Sequence, residues 1–221
     1  MNKLKVLIII IPIFLTFESC FQNEWKEYNY DAHNFKIKFY HEPEVTEKVF
    51  LFHEDTLKSF LFEVSVADSL HENNYYSLTV TTYPSGYIHS DSAWTMVEDF
   101  MNSTQNEFFE LDGLTLITSS LTEKKGYPGK IFKWKNNTSN MFFECHIFLA
   151  GNTLYRLLVM ANEGQNHNIF INKYVESFDF YNIPDGNFSI PKTIHERTFS
   201  IEFPQKPVEE FRTLDSEYGH L

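Results

Sequence analysis

Apolar and polar residues alternate with a period of two along most of the chain, a pattern typical of β-strands with one buried face. The first run is Phe35-Lys-Ile-Lys-Phe39, which is closed by Pro43. Further runs predict strands at 49–52, 60–66, 76–80, 114–120 and 130–135. Gly151-Asn152 predicts a hairpin turn between alternating strands at 143–149 and 155–159. The chain therefore reads as an antiparallel meander.

Two segments change to helical spacing. The first runs over about 92–109, where Ser90-Asp91-Ser92 offers N-cap oxygens. Its predicted apolar face is Ala93, Met96, Val97, Phe100, Met101 and Phe108. The second helix carries Phe170, Tyr174, Val175 and Phe178 and ends near Phe180. Together the segments predict an α+β fold, an antiparallel sheet of about six to eight strands with two helices packed on it.

The N-terminal segment has the layout of an export signal. Lys3 and Lys5 precede an apolar run from Val6 to Phe17 that is too short for a spanning helix, which needs roughly 20 residues. Residues 1–19 resemble a bacterial lipoprotein signal peptide, and Cys20 after Ser19 would then be the lipidated residue, although Phe17 and Glu18 depart from the usual lipobox. An ordinary secretory signal or an uncleaved anchor are the alternatives. All three place the remaining chain outside the cytoplasm.

The chain repeats part of its own beginning. Phe35, Ile37, Phe39 and Pro43 recur at Phe199, Ile201, Phe203 and Pro207. We therefore predict a tether at 20–34, a domain at 35–181, a linker at 182–194 and an incomplete second repeat at 195–221. The last segment is either the start of a shortened second domain or an extra hairpin.

The order of these features resembles a known family. An FxIxF opening strand, a meander, one helix, a hairpin leading into Leu154-Tyr-Arg-Leu157 and a closing helix ending in Glu176-Ser-Phe178 are similar to the PsbP-like α/β sandwich domains of secreted bacterial lipoproteins. The resemblance covers about residues 30–181. It implies a curved antiparallel sheet with helices packed on it and a non-catalytic accessory or assembly role. It implies no catalytic residue.

Charge and composition exclude several classes of function. Eighteen basic residues against 30 acidic ones give a net charge of −12, which repels nucleic acid. Two cysteines cannot form a disulfide framework, and the sequence has no zinc-ligand spacing. No phosphate-binding loop, dinucleotide fingerprint or nucleophile elbow occurs. We predict no cofactor and no metal.

Three groups of reactive residues are candidates for a functional site. Cys145 alternates with apolar neighbours and is predicted to be a buried core thiol, with His146 on the opposite face. His53-Glu54-Asp55 are consecutive and cannot all face one ion. Glu107, Glu110 and Asp112 are interpreted as a solvated helix end rather than a glycosidase pair.

The aromatic content is high for a domain of this size, with 23 Phe, 12 Tyr and 3 Trp. Ordinary packing between sheet and helices is the favoured interpretation, and exposure of some rings at an interface is the alternative. The candidates are Tyr75, Tyr83, Tyr87, Trp94 and Trp134. We expect an exported, lipid-anchored, non-catalytic binding module of the bacterial cell envelope. It would face the periplasm or the cell surface and contact an envelope protein. The alternative is a small-ligand carrier or hydrolase with a site between sheet and helix.

Overall fold

Two antiparallel sheets and two α-helices form the part of the chain that the computed structural model describes, residues 25–52, 55–66, 72–107 and 113–188. The chain divides into the units Met1–Ile190 and Pro191–Leu221, and all described residues belong to the first. None of the helices in these ranges has the length and apolar character needed to cross a membrane.

The elements follow the predicted order closely. The strands are β1 Lys26–Tyr30, β2 Phe35–Phe39, β3 Glu44–Phe52, β4 Asp55–Ser65, β5 Asn73–Thr82, β6 Leu114–Lys124, β7 Tyr127–Asn136, β8 Phe142–Ala150, β9 Thr153–Ala161 and β10 Asp179–Phe180. The helices are α1 Trp94–Asn106 and α2 Ile169–Ser177, and a short 3-10 helix spans Asp31–His33. The predicted α+β class with two helices is confirmed.

The large sheet has seven strands in the order β3-β4-β5-β9-β8-β7-β6. Hairpins join β3 to β5 and β6 to β9, so neighbours in the chain are also neighbours in space within each group. The segment between β5, near the middle, and β6, at an edge, must cross one face of the sheet. It contains α1, which packs on β7.

The opening strand does not join this sheet. Instead β2 lies between β1 and β10 in a separate three-stranded sheet. Residues 26–30, predicted to be part of a tether, therefore form a paired strand, and this part of the prediction is corrected. Phe35, Ile37 and Phe39 are fully buried, as their alternation predicted.

Each face of the large sheet has its own core. One face packs against β2 and α2, through residues such as Leu78, Tyr155 and Tyr174. The other packs against α1, through residues such as Met101 and Trp134. The described part of the chain thus has three layers, with the large sheet in the middle.

The alternating apolar pattern predicts more buried side chains on β3 than the structure shows. Val49 and Leu51 are 57% and 78% exposed on β3, which is an edge strand of the large sheet. The period-two pattern identified the strand but not what covers it.

Helix α1 begins later than predicted, and none of the three predicted oxygens caps it. Its N-cap is Ala93, which has no side-chain oxygen. The Ser92 hydroxyl instead accepts the His89 N–H at 3.2 Å, and the Ser90 hydroxyl accepts the Gly151 N–H at 3.1 Å. These side chains stabilise the loop before the helix.

Residues 182–188, predicted to be linker, contact the domain. The Gly186 N–H donates to Lys125 O and the Phe188 N–H donates to Gly126 O, both at 2.8 Å. A Cβ on Gly126 would collide with the Gly186 carbonyl, and its φ of 69° is also one that glycine tolerates best. Phe188 also stacks on Trp94 with ring centroids 5.0 Å apart.

Candidate binding site

A groove lies where α1 meets the ends of β3 and β5. Four aromatic side chains line it: Phe52 ends β3, Tyr83 follows β5, Tyr87 lies in the next loop, and Phe100 comes from α1. We call this feature the aromatic groove. Its volume is about 360 Å³, within the range of small-molecule or side-chain sites.

The loop that carries Tyr83 and Tyr87 is fixed to the β8–β9 turn. The Tyr83 N–H donates to Asn152 O at 2.9 Å, and the Ser90 N–H donates to Gly151 O at 2.7 Å. The Asn152 side-chain amide donates back to Tyr83 O. These contacts to the β8–β9 turn therefore hold the loop that carries the two tyrosines.

The four rings contact one another. Tyr83 and Tyr87 stack at 5.5 Å with an interplanar angle of 17°. Phe52 lies 4.7 Å from Tyr87 at 89°, and Phe100 lies 5.1 Å from Tyr83 at 90°. The Phe52 and Phe100 rings therefore stand perpendicular to the tyrosine rings that they contact, an edge-to-face arrangement that aromatic pairs favour.

The rest of the lining combines apolar and acidic groups. Besides the rings it consists of Ile88, Met96, Asp99, Ser103, Thr104 and Glu107. Met96 is 53% exposed and Tyr87 42%, so part of the lining faces solvent. The lining formed by described residues contains two carboxylates and no lysine, arginine or histidine.

The pKa of the Tyr83 hydroxyl reflects the charges around the groove. Burial, followed by the negative charge of Glu107, raises the pKa of this hydroxyl to about 12, and the positive charge of Arg156 partly opposes this. The hydroxyl therefore stays protonated at neutral pH. The groove can bind through ring faces, apolar contacts and carboxylates, but Tyr83 offers no general base.

Cys145 is fully buried, as predicted. Burial raises the pKa of its thiol to about 12, which makes it a poor nucleophile. His146 points to the opposite face, where its Nε2 lies 2.8 Å from Glu144 Oε1. Lys133 Nζ lies 2.7 Å from the other oxygen of Glu144. The sequence pattern does not reveal this buried charge cluster, because Lys133 meets Glu144 only through the β7–β8 register.

The aromatic candidates separate into different environments. Tyr83 and Tyr87 line the groove. Trp134 is buried beneath α1, which agrees with ordinary packing between sheet and helix and removes it from the interface candidates. Trp94 is half-buried against Phe188, and the Tyr75 hydroxyl donates to Glu63 at 2.6 Å.

Several predicted residues lie outside the described ranges. They are Cys20, His53, Glu54, Glu110, Asp112 and the segment 195–221. Glu107 is described and lies in the groove lining. Among the residues described, no group of three or more His, Cys, Asp or Glu side chains could hold a metal ion.

The sequence pattern places Phe52 in a strand and Phe100 in a helix and gives no sign that either lines a site. Met96, predicted on the buried face of the first helix, lies on the rim of the groove instead. The only signal of the groove in the sequence is the high aromatic content. This content is consistent with exposed rings but does not indicate which rings lie together in the fold.

No family model matches the chain, and no curated protein matches it. Solved structures give weak similarities. The solution structure of cyanobacterial PsbP (CyanoP) from Synechocystis sp. PCC 6803 is 13% identical, with a TM-score of 0.48, over 72% of this chain and 94% of that one. A crystal structure from Bacteroides thetaiotaomicron is 14% identical, with a TM-score of 0.39, over 72% of this chain and 49% of that one.

A protein of unknown function from Pseudomonas aeruginosa is 9% identical, with a TM-score of 0.34, over 54% of this chain and 85% of that one. A PsbP domain thus stands among the similar structures, as the sequence resemblance led us to expect. These values carry no argument about function. The lipoprotein character and the incomplete second repeat stay predictions.

Proposed function

We propose that this protein is an exported, lipid-anchored and non-catalytic module of the bacterial cell envelope that binds a partner in its aromatic groove. The observation that carries the proposal is the meeting of four rings from three separate parts of the chain around one open space. A ring that only completes a core is buried, whereas Tyr87 is 42% exposed. Exposed aromatic clusters of this kind are common at binding sites.

A photocrosslinking experiment tests the groove. A photoreactive amino acid is placed at Tyr87 or Met96 in cells, with Ile169, 73% exposed on α2, as the matched control position. We expect a discrete crosslinked product from the two groove positions and none from Ile169. Its intensity should fall when Asp99→Asn is added to the Met96 probe. Products that are absent, or identical at all three positions, contradict the proposal.

The anchor is a separate part of the proposal and depends on Cys20. Attachment of acyl chains contributes about 0.8 kcal/mol per buried CH₂, so several chains hold a protein at a membrane without basic residues. Metabolic labelling with an alkyne fatty acid should mark the wild type and the Cys145→Ala control but not Cys20→Ala. Equal labelling of Cys20→Ala would exclude lipidation at this residue.

A small-ligand carrier is the second candidate, because the groove lies between α1 and the sheet and has the volume of a small-molecule site. A hydrolase is less favoured. The Thr104 hydroxyl donates to Phe100 O at 3.0 Å, and the described lining has no histidine to activate it or Ser103. A thermal-shift screen with small apolar and cationic compounds separates the carrier from the binding module.

A further inference from the structure

We infer that the aromatic groove receives a lysine or arginine side chain from a polypeptide partner. This inference rests on the proposed binding function and adds the chemistry of the partner. It is supported by the juxtaposition of four aromatic rings and two carboxylates, which line the same small groove.

The rings provide the first half of the recognition. A cation within about 6 Å of a ring centroid is attracted to the face of the ring. The perpendicular arrangement of Phe52 and Phe100 against the Tyr83–Tyr87 stack brings differently oriented rings to the same space. Apolar stems of lysine and arginine also pack well against such rings.

Charge complementarity provides the second half. Asp99 and Glu107 line the groove, and the described lining has no basic side chain. Helix α1 contains no lysine or arginine along Trp94–Asn106. The positive charge of Arg156 also acts on Tyr83, but its effect on the pKa of that hydroxyl is smaller than the effect of Glu107.

The accessible rim favours a side chain of a polypeptide over a free small cation. Met96 and Tyr87 are both well exposed, so apolar surface continues from the groove to the outside of α1. A protein segment can cover this surface while one basic side chain enters the groove. The net charge of −12 also favours encounter with a basic segment.

Binding of matched peptides to the full-length protein tests the inference. The probes are short labelled Gly/Ser peptides that carry one central Arg, Lys, citrulline, Leu or Glu, and tetramethylammonium is the small-cation competitor. At low salt we expect the Arg and Lys peptides to bind about fivefold to tenfold more tightly than the citrulline peptide, with the difference shrinking as salt is added. Fluorescence anisotropy measures the affinities.

Matched variants locate the binding. Asp99→Asn with Glu107→Gln should remove about tenfold in affinity for the Arg peptide, because it removes both carboxylates of the groove without changing their shape. The control pair Glu98→Gln with Glu123→Gln removes the same charge elsewhere and should change affinity less than about twofold. Tyr87→Leu should weaken binding about threefold, whereas Tyr181→Leu, also an exposed tyrosine, should not. Thermal melts check that each variant is folded.

Four results would overturn the inference. Tighter binding of the Leu peptide would identify the groove as an apolar pocket, and tetramethylammonium binding as tight as that of the Arg peptide would identify a small-cation carrier. Failure of the cationic peptides to bind would also overturn it. So would an equal loss of affinity for the Arg peptide in the groove double variant and in the control double variant. Photocrosslinking at Tyr87 and Met96 tests the proposed partner binding independently. A failure of the proposed function can therefore be distinguished from a failure of the inference about a basic side chain.

Discussion

Glu144 is a buried charge that its neighbours keep ionised. It is 5% exposed in β8, an interior strand of the large sheet. Burial alone would raise the pKa of this carboxyl. The hydrogen bond with His146 and the contact with Lys133 outweigh burial, and the pKa lies below its ordinary value of 4.5. The ionised carboxylate therefore stabilises the folded state.

Replacing Glu144 by Gln should lower the free energy of unfolding at neutral pH by about 1–3 kcal/mol, because Lys133 and His146 lose their charged acceptor. A lowered folded-state pKa gives stability that is present above about pH 4.5 and is lost as the pH falls through the folded value. Between about pH 6 and about pH 3, the wild type should therefore lose more stability than Glu144→Gln. Urea denaturation measures both curves.

The control for this experiment is Glu163→Gln. Glu163 pairs with Lys135, on the same strand as Lys133, but its side chain is 62% exposed. Exposed pairs contribute little, and this variant should change stability by less than about 1 kcal/mol. Parallel pH curves for the wild type and Glu144→Gln would show that the cluster does not hold the carboxylate in its ionised form.

Cys145 should be nearly inert in the folded protein. It is fully buried and its thiol pKa is about 12, so both access and thiolate formation are suppressed. In a Cys20→Ala background, a thiol reagent at mildly alkaline pH should react roughly 1,000-fold more slowly with native than with unfolded protein. Ile169→Cys, at an exposed position on α2, should label rapidly in the native state. Native labelling of Cys145 at the rate of this control would contradict the buried assignment.

At the scale of elements, the start of α2 depends on one asparagine pair. The Asn168 Oδ1 atom accepts the N–H groups of Phe170 at 3.0 Å and Ile171 at 3.1 Å. Its side-chain amide donates to Asn73 Oδ1 at 2.7 Å, and Asn73 Nδ2 donates back at 3.0 Å. Asn168 thus caps α2 and joins it to β5.

Asn168→Ala should destabilise the protein by about 2–3 kcal/mol, because it removes the cap and both side-chain hydrogen bonds between Asn168 and buried Asn73. Asn172→Ala is the matched control, since Asn172 is exposed within the same helix. That change should stay within about 0.5 kcal/mol, as expected for an exposed helical position. Chemical denaturation compares the two, and equal effects would mean that the pair does not join the helix to the sheet.

Elements were predictable where local chemistry is sufficient. The β8–β9 hairpin follows from alternation on both sides of Gly151-Asn152 and was predicted correctly. Strand β1 was missed because its five residues, mostly polar and tyrosine, pair only with β2. The start of α1 was missed because Ser90 and Ser92 bond to Gly151 and His89, a choice that depends on tertiary contacts.

At the scale of the whole molecule, the groove could not be read from the sequence. Phe52 and Phe100 are 48 positions apart and each fits the pattern of its own element. Only the crossing of α1 over the sheet, together with the loop bound to the β8–β9 turn, brings them to Tyr83 and Tyr87. The aromatic surplus indicated an interface, and the topology determined its location.

The C-terminal border of the folded domain also belongs to the scale of the whole molecule. This border lies beyond residue 181. Two backbone hydrogen bonds join Gly186 and Phe188 to the β6–β7 turn, and Tyr127 donates its hydroxyl proton to Pro184 O at 2.8 Å. The predicted linker at 182–194 therefore begins with residues that contribute to the domain. The division of the chain into units falls after Ile190.

Truncation should locate this border by melting temperature. A chain that ends at residue 190 should melt within about 2 °C of the full-length protein, because every described contact is kept. A chain that ends at residue 184 loses the two backbone hydrogen bonds and the Phe188–Trp94 stack, about 1–3 kcal/mol, and should melt several degrees lower. Phe188→Ala in the full-length chain isolates the stack and should give only part of that loss. Equal melting temperatures for the two truncated chains would return residues 185–190 to the linker, and a large loss on ending at 190 would show that the second unit supports the first.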